Sequence, residues 1–247
     1  MKIGVQMYSL REQAEKDLDG TLAAVKAAGF DGVELAGMYG LSAGELRAKL
    51  DARGLKASGA HIGLNDILHS FERTAADARA LGFADAVVPS LDAAELYAKT
   101  DGIVADFNRA AALCKKAGLR LCYHNHNFEF KGGVNYLYVL ADGVPELRFE
   151  ADVFWLKAAD ISFSEVSRRL GARLAILHIK EMNPKGVWEP NPLLGEGVSG
   201  IAEILEYAKR RKEIEWAVLE MEKLDVDYRD YLKAAARYMT ERLEAAR

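Results

Sequence analysis

The sequence predicts an α/β fold, a single (β/α)8 TIM barrel spanning residues 1–247, and three observations carry that expectation. A degenerate unit recurs along the chain: a helix end with a basic residue nearby, a glycine able to take the left-handed stop, then a short apolar strand. Gly29, Gly54, Gly82, Gly118 and Gly171 are the glycines of five such copies. Filling in the rest gives eight strand–helix units of ~30 residues each, the size and alternation of a closed parallel barrel. Finally, strand after strand ends in a carboxylate, an imidazole or an amide, and barrel enzymes keep their chemistry at those carboxyl ends. An open doubly wound sheet would not need eight evenly spaced units, and no internal linker rich in Pro, Gly or Ser divides the chain.

In order, strands are expected near Ile3–Met7, Gly32–Leu35, Lys56–Ile62, Asp85–Pro89, Arg120–His126, Leu147–Val153, Leu174–Lys180 and Trp216–Met221. Between them apolar residues recur at i, i+3, i+4 and i+7, the helical period. Leu18, Leu22 and Val25 form one stripe, Ile67, Phe71, Ala75 and Ala78 another, and Ile201, Ile204, Leu205 and Ala208 a third. Ser42-Ala-Gly-Glu45 and Ser162-Phe-Ser-Glu165 have the capping-box spacing of helix starts. An amphipathic helix from Tyr228 to Leu243 closes the chain. The proline-dense stretch Pro184 to Pro192 follows a strand end and reads as an active-site loop.

Half of the residues are hydrophobic and 28% are charged, ordinary values for a soluble globular protein. No apolar run approaches the ~18–20 residues of a membrane span, and the amino terminus enters a strand without a signal-peptide pattern. A net charge of −4 and the lack of a Lys/Arg cluster argue against a nucleic-acid partner. Cys114 and Cys122 have no CxxC spacing and read as buried thiols of a reducing compartment. The expectation is a cytoplasmic enzyme with a small-molecule substrate; assembly as a homo-oligomer through loops or the last helix is compatible with the sequence.

Polar groups on the helix-covered face of a barrel strand would be buried without water, so strand-end polar residues should face the barrel axis. On that parity His124 and His126 share a face with Cys122, Gln6 and Tyr8 with Gly4, Glu34 with Gly32, and His61 with Gly59. Asp152 lies with Glu150, His178 with Ile176 and Lys180, and Glu220 with Val218 and Glu222. His124/His126, Asp152, His178 and Glu220 thus form a mixed N/O donor set from four successive strands. Such a set suits Mn2+, Zn2+, Co2+ or Fe2+ better than Mg2+ or Ca2+. Burying these groups together without a metal or substrate would be costly, which weighs against a purely structural salt-bridge layer. Glu150 and Glu222 are expected to orient the ligands or to be structural.

The ordered segments Gly4-Val-Gln-Met-Tyr-Ser-Leu-Arg11, Tyr123-His-Asn-His-Asn-Phe-Glu-Phe130, Glu150-Ala-Asp-Val-Phe-Trp155, Leu177-His-Ile-Lys-Glu-Met182, Gly195-Glu-Gly197 and Val218-Leu-Glu-Met-Glu222 carry a family likeness. Together they resemble the sugar phosphate isomerase/epimerase family of xylose isomerase-like barrels, and the resemblance covers essentially the whole chain. It implies a divalent metal held by a Glu, an Asp, a His and a Glu from the last four strands, three of them matched by Asp152, His178 and Glu220. The first position departs from the pattern, because many relatives carry Glu-x-His where this chain has His124-Asn-His126. Either His124 ligates directly or Glu129 folds back to supply the carboxylate. His126 matches the histidine that acts as a base in dehydratase-type relatives. The absent glutamate removes half of the two-glutamate proton relay described for ketose epimerases. It moves the resemblance toward the His-x-His branch, whose members resemble inosose dehydratases and enzymes acting on 3-keto sugars or glycosides.

The implied chemistry is proton abstraction α to a carbonyl of a carbohydrate, with the metal stabilising the enediolate. His126 or Glu220 would be the base and Lys180 a charge partner for a substrate oxygen. Gln6, Tyr8, Glu34, His61, Trp155 and Glu222 are the expected substrate-binding residues, with Phe154 adding to the apolar wall. Reprotonation gives a sugar isomerase or epimerase; expulsion of a β-substituent gives a lyase acting on a keto-inositol or 3-keto-glycoside. A metal-free sugar-binding barrel is the non-catalytic alternative. A DNA-repair endonuclease of the same superfamily would need a trinuclear zinc site with more than the five histidines present. Gly195-Glu-Gly-Val-Ser-Gly200 spells GxGxxG but follows a proline-rich loop instead of a strand, so a dinucleotide site is not expected. An anion there would meet Glu196, which favours an unphosphorylated sugar. His69 is expected at the surface of a helix.

Overall fold

The computed structural model describes residues 1–244; the last three positions of the expected 1–247 unit lie outside the described residues. Eight parallel strands close into a barrel in sequence order. They are β1 (Lys2–Gln6), β2 (Gly32–Leu35), β3 (Lys56–His61), β4 (Asp85–Val88), β5 (Arg120–His124), β6 (Arg148–Asp152), β7 (Leu174–Ile179) and β8 (Trp216–Leu219), and β8 pairs with β1 to complete the ring. Each strand is followed by a helix on the outside: α1 (Leu18–Ala28), α2 (Ala43–Asp51), α3 (Phe71–Leu81), α4 (Thr100–Lys116), α5 (Tyr136–Gly143), α6 (Phe163–Leu170), α7 (Ile201–Ala208) and α8 (Tyr228–Glu244). Shorter helical turns occupy loops, among them Met7–Leu10, Leu64–His69, Phe128–Phe130 and Val153–Ala158. No described helix is long and apolar enough to cross a membrane.

The repeated glycines do the same job in each unit. Gly29, Gly54, Gly82, Gly118 and Gly171 all have φ between +56° and +108°, a region that costs a residue with a Cβ atom and lets the helix end turn back into the barrel floor. Ser42 makes both halves of the expected capping box with Glu45. Ser162 does not, because its hydroxyl pairs with that of Ser164 instead. The apolar stripe from Ile67 to Ala78 is broken at Ser70 into two helices.

Outside the strands, the main apolar core fills the space under the helices. Inside, the Trp216 ring plugs the floor against Gly4 and Gly32; a Cβ on Gly32 would come within 2.9 Å of it. Val87, Cys122, Ile176 and Val218 form the next level. Above them the interior becomes polar, with Gln6 opposite Glu34, His124 opposite Glu150, and Asp152 opposite His178 in the strand register.

The expected strands overran the real ones at their carboxyl ends. β1 stops at Gln6, β5 at His124, β7 at Ile179 and β8 at Leu219. The stop of β1 and that of β6 at Asp152, one residue short of the expected Val153, have a visible local cause. The Gln6 carboxamide accepts from the Tyr8 amide and converts the strand into a tight helical turn. The Asp152 carboxylate accepts from the Trp155 amide and starts the turn after β6. Period-two alternation ends there, so Tyr8 does not follow Gln6 inward and is 51% exposed, beneath the Arg11 guanidinium.

Candidate functional site

The carboxyl ends of β5 to β8 bring four donor side chains together. One donor atom each from His124, Asp152, His178 and Glu220 lies within 4.8 Å of all the others. His124 Nε2 stands 3.1 Å from His178 Nδ1 and 3.4 Å from Asp152 Oδ2, and His178 Nδ1 stands 2.8 Å from Glu220 Oε2. His124 Nε2 and Glu220 Oε2 are 4.0 Å apart. A tetrahedral ion with bonds of about 2.0–2.1 Å sets its donors roughly 3.4 Å apart, within this spread. Asp152 Oδ2 is buried with no hydrogen-bond partner among the described residues, so it has a lone pair available as a ligand.

The surroundings aim these donors. His124 Nδ1 lies 3.2 Å from the Pro89 carbonyl, which can only accept, so the Nδ1 proton is held there and the Nε2 lone pair faces the group. The Asn125 carboxamide grips the backbone of Asp152 at both ends, accepting from its amide at 3.1 Å and donating to its carbonyl at 3.3 Å. Sequence reasoning missed this role; the signal was an amide on the opposite face of the same strand end.

Electrostatics separate the members. Burial, then repulsion by His178, pushes His124 down to about 3. Burial and the Glu220 charge raise Asp152 to about 6. Burial alone would raise Glu220, but Lys180 and the His178 hydrogen bond hold it well below the usual carboxylate range. Burial also opposes charge on His178, yet Glu150 and Glu34 outweigh it and hold His178 well above the ordinary imidazole value.

Below this group lies a second one, in which Glu34, His61, Glu150 and His178 each offer an atom within 4.8 Å of the rest. His178 Nε2 is 2.7 Å from Glu34 Oε2 and 3.2 Å from Glu150 Oε1. His61 Nε2 is 3.0 Å from Glu150 Oε2 and 3.3 Å from Glu34 Oε2. Gln6 donates to Glu34 at 2.6 Å. Despite its burial, His61 is raised to about 9 by the charge of Glu34 and by Glu150. Glu34, His61 and Gln6 are thus engaged with one another beneath the site. Glu150, expected beside Asp152, joins them.

Around the rim, His126 lies past the strand end, its ring 5.0 Å from His124, 5.3 Å from Trp155 and stacked on Phe128 at 5.6 Å. Burial, reinforced by His124, lowers it to about 4, and its Nδ1 is buried with no hydrogen-bond partner among the described residues. Lys180 is fully buried, donating to Glu220 at 3.0 Å and Glu222 at 2.6 Å with its ammonium over the Phe154 and Trp155 rings. Glu129 does not fold back toward the donors. Its oxygens accept from the Tyr123 hydroxyl at 2.6 Å and the His126 amide at 3.0 Å. Tyr123 faces Phe107 of α4 on the helix side of β5, and the carboxylate is drawn to that side. The glycine-rich stretch is also committed: Glu181 accepts from the Gly195 and Ser199 amides at 2.9 and 2.8 Å, which leaves those amides no anion to hold. His69 is exposed on its helix.

A closed parallel barrel with imidazoles and carboxylates clustered at the carboxyl ends of its strands defines a class of barrels whose mouth could hold a cation. The sequence matches the model of the xylose isomerase-like TIM barrel family over residues 22–242, and the chain belongs to that family. Among solved structures it is similar to a sugar phosphate isomerase/epimerase from Parabacteroides distasonis ATCC 8503, with a TM-score of 0.82 and 21% identity over 99% of this chain and 94% of that one. It is similar to a probable 3-DHS dehydratase, AsbF, involved in petrobactin synthesis in Bacillus anthracis, with a TM-score of 0.78 and 16% identity over 97% and 99% of the two chains. A D-psicose 3-epimerase whose structure was determined in the presence of D-fructose matches with a TM-score of 0.68 and 17% identity, covering 97% of each chain. At these identities the likeness is one of fold. No curated protein sequence matches the chain.

Proposed function

We propose that the protein is a metal-dependent sugar isomerase or epimerase that removes a proton α to the carbonyl of a sugar or keto-sugar. The observation that carries this reading is the convergence of four buried donors beside His126, a half-buried imidazole held uncharged. His124, Asp152, His178 and Glu220 would hold the ion, which supplies Lewis acidity toward a carbonyl oxygen and its enediolate. The mixed donor set favours Mn2+, Zn2+, Co2+ or Fe2+. His126 is present at neutral pH in the unprotonated form that a base needs, with Nδ1 free to accept the proton. Lys180 keeps Glu220 charged, and the third N–H of its ammonium is left for a substrate oxygen. Phe128 and Trp155 flank His126 as a wall for the apolar face of a sugar ring. A neutral, unphosphorylated sugar suits the site, since Glu181 holds the loop amides and two carboxylates hold Lys180.

A second reading shares the first step and ends in elimination, making the protein a lyase on a keto-inositol or 3-keto-glycoside. One observation favours it: with His124 in the donor group, Glu220 is its one glutamate, and a two-glutamate relay that reprotonates the opposite face lacks a partner. The fold likeness to a probable dehydratase is in keeping with it.

The test is metal analysis followed by deuterium exchange. Protein supplemented with Mn2+ or Zn2+ is expected to retain a transition metal and to place solvent deuterium α to the carbonyl of a keto-sugar from a panel. His126→Gln is expected to abolish exchange with metal content unchanged. Protein that retains no metal after supplementation points to a metal-free sugar-binding barrel. Metal-loaded protein that exchanges no keto-sugar refutes enolisation.

A further inference from the structure

The two titratable groups share one residue. His178 turns Nδ1 toward His124 and Glu220 and Nε2 toward Glu34 and Glu150, and is itself fully buried. An imidazole that gives a lone pair on one nitrogen must keep its proton on the other, and a carboxylate placed at that second nitrogen fixes both the tautomer and the ring orientation. We infer that Glu34 is a positioning residue: its carboxylate holds the Nε2 proton of His178 and so presents the Nδ1 lone pair to a cation. This rests on the cation site proposed above and extends it downward by one level of the barrel.

Glu34 is built for the task. It is fully buried, and its contacting oxygen is fixed by the Gln6 carboxamide at 2.6 Å. Gln6 is anchored in turn by the Tyr8 amide at 2.9 Å, so the first strand end braces the seventh across the barrel. Gly59 leaves room for the other oxygen; a Cβ there would come 3.3 Å from Glu34 Oε1. Glu150 and His61 close the ring, His61 Nε2 reaching both carboxylates. Two imidazole N–H groups thus face two carboxylates, whose remaining oxygens, Glu34 Oε1 and Glu150 Oε1, have no hydrogen-bond partner among the described residues. Ions in both groups at once would require His178 to surrender both ring protons. Glu34 and Glu150 both face Nε2, so the inner ring is assigned as the scaffold that bears protons and the outer group as the cation site.

The experiment uses the full-length chain with zinc as the probe. Zinc competition titration of the wild-type protein is expected to give one ion per chain. In the zinc-loaded, 15N-labelled protein, His178 is expected to carry its proton on Nε2. Glu34→Gln keeps the volume and removes the charge, and is expected to weaken zinc binding by about 10–100-fold, with the melting temperature of the cation-free variant reported beside it. A folded Glu34→Gln protein with unchanged zinc affinity, a zinc-loaded His178 without an Nε2 proton, or two zinc ions per chain each overturns the positioning role. The proton position is read on the wild-type chain and stands even where the variant fails to fold. Wild-type protein that binds no zinc removes the cation site itself, a distinct failure that takes this inference with it.

Discussion

Lys180 offers the sharpest test of how the mouth of the barrel is held. Its ammonium is fully buried between Glu220 and Glu222 and over two aromatic rings. Lys180→Met keeps most of the volume and the contact with those rings, but leaves the Glu220 carboxylate, whose side chain is 9% exposed, with His178 in place of two cationic partners. Glu222 is 43% exposed, so water replaces the lysine there and its share is about 0–1 kcal/mol. Removing one partner of a buried pair costs about 3–5 kcal/mol. At about 2–4 °C per kcal/mol for a chain of this size, the melting temperature should fall by roughly 6–20 °C. The sign with pH follows from Glu220. Its folded value is depressed, so its contribution is present above the ordinary carboxylate range and is lost as pH falls through the folded value. In the variant only His178 still depresses it, Glu220 protonates more easily, and the gap from wild type should narrow between about pH 7 and about pH 4. Thermal and urea unfolding of the cation-free proteins measure this, and Lys180→Met/Glu220→Gln should recover most of the loss. A loss below about 1 kcal/mol, or a gap that does not change with pH, would refute the argument that Lys180 compensates a buried charge.

Cation affinity should fall as pH falls. His178 is held protonated and must release a proton to bind, whereas His124, lowered to about 3, releases none near neutrality. The logarithm of zinc affinity should therefore change by about one per pH unit near neutrality and steepen below about 6, where Asp152 also takes up a proton; isothermal titration across pH checks the slope, and a flat profile contradicts it. Gly197→Ala puts a Cβ 2.3 Å from the Met182 carbonyl oxygen and 2.5 Å from Glu181 Cγ. Relieving that overlap must move the loop carried by Glu181, at about 1–3 kcal/mol, read as a lower melting temperature and faster proteolysis between residues 182 and 200. Unchanged values on both would show that Glu181 does not hold the loop.

Much of this was legible in one dimension. The glycine that ends each unit and the strand that follows repeat because every unit meets the same steric problem, a helix end reversing into a barrel floor. Ile176–His178 and Val218–Glu220 alternate in the sequence as they do in space, so Asp152, His178 and Glu220 could be placed on the barrel axis from parity alone. Parity failed where the ladder ends. Tyr8 was assigned by counting past a strand and is redirected by a hydrogen bond that closes a turn, while Glu129, the alternative to His124 that the resemblance raised, is held by a tyrosine on the far face of β5.

What local sequence determined, then, is periodicity, punctuation and the sign of the side chains at each strand end, because these depend on neighbours a few residues apart. What only the tertiary structure decided is which nitrogen of His178 faces which carboxylate, that Glu34 lies beneath it, and that Glu181 already fills the glycine-rich loop. Those contacts join residues 144 positions apart or cross a loop of 14 to 18, and they exist only because barrel closure brings distant strand ends to within about 3 Å, hydrogen-bond range.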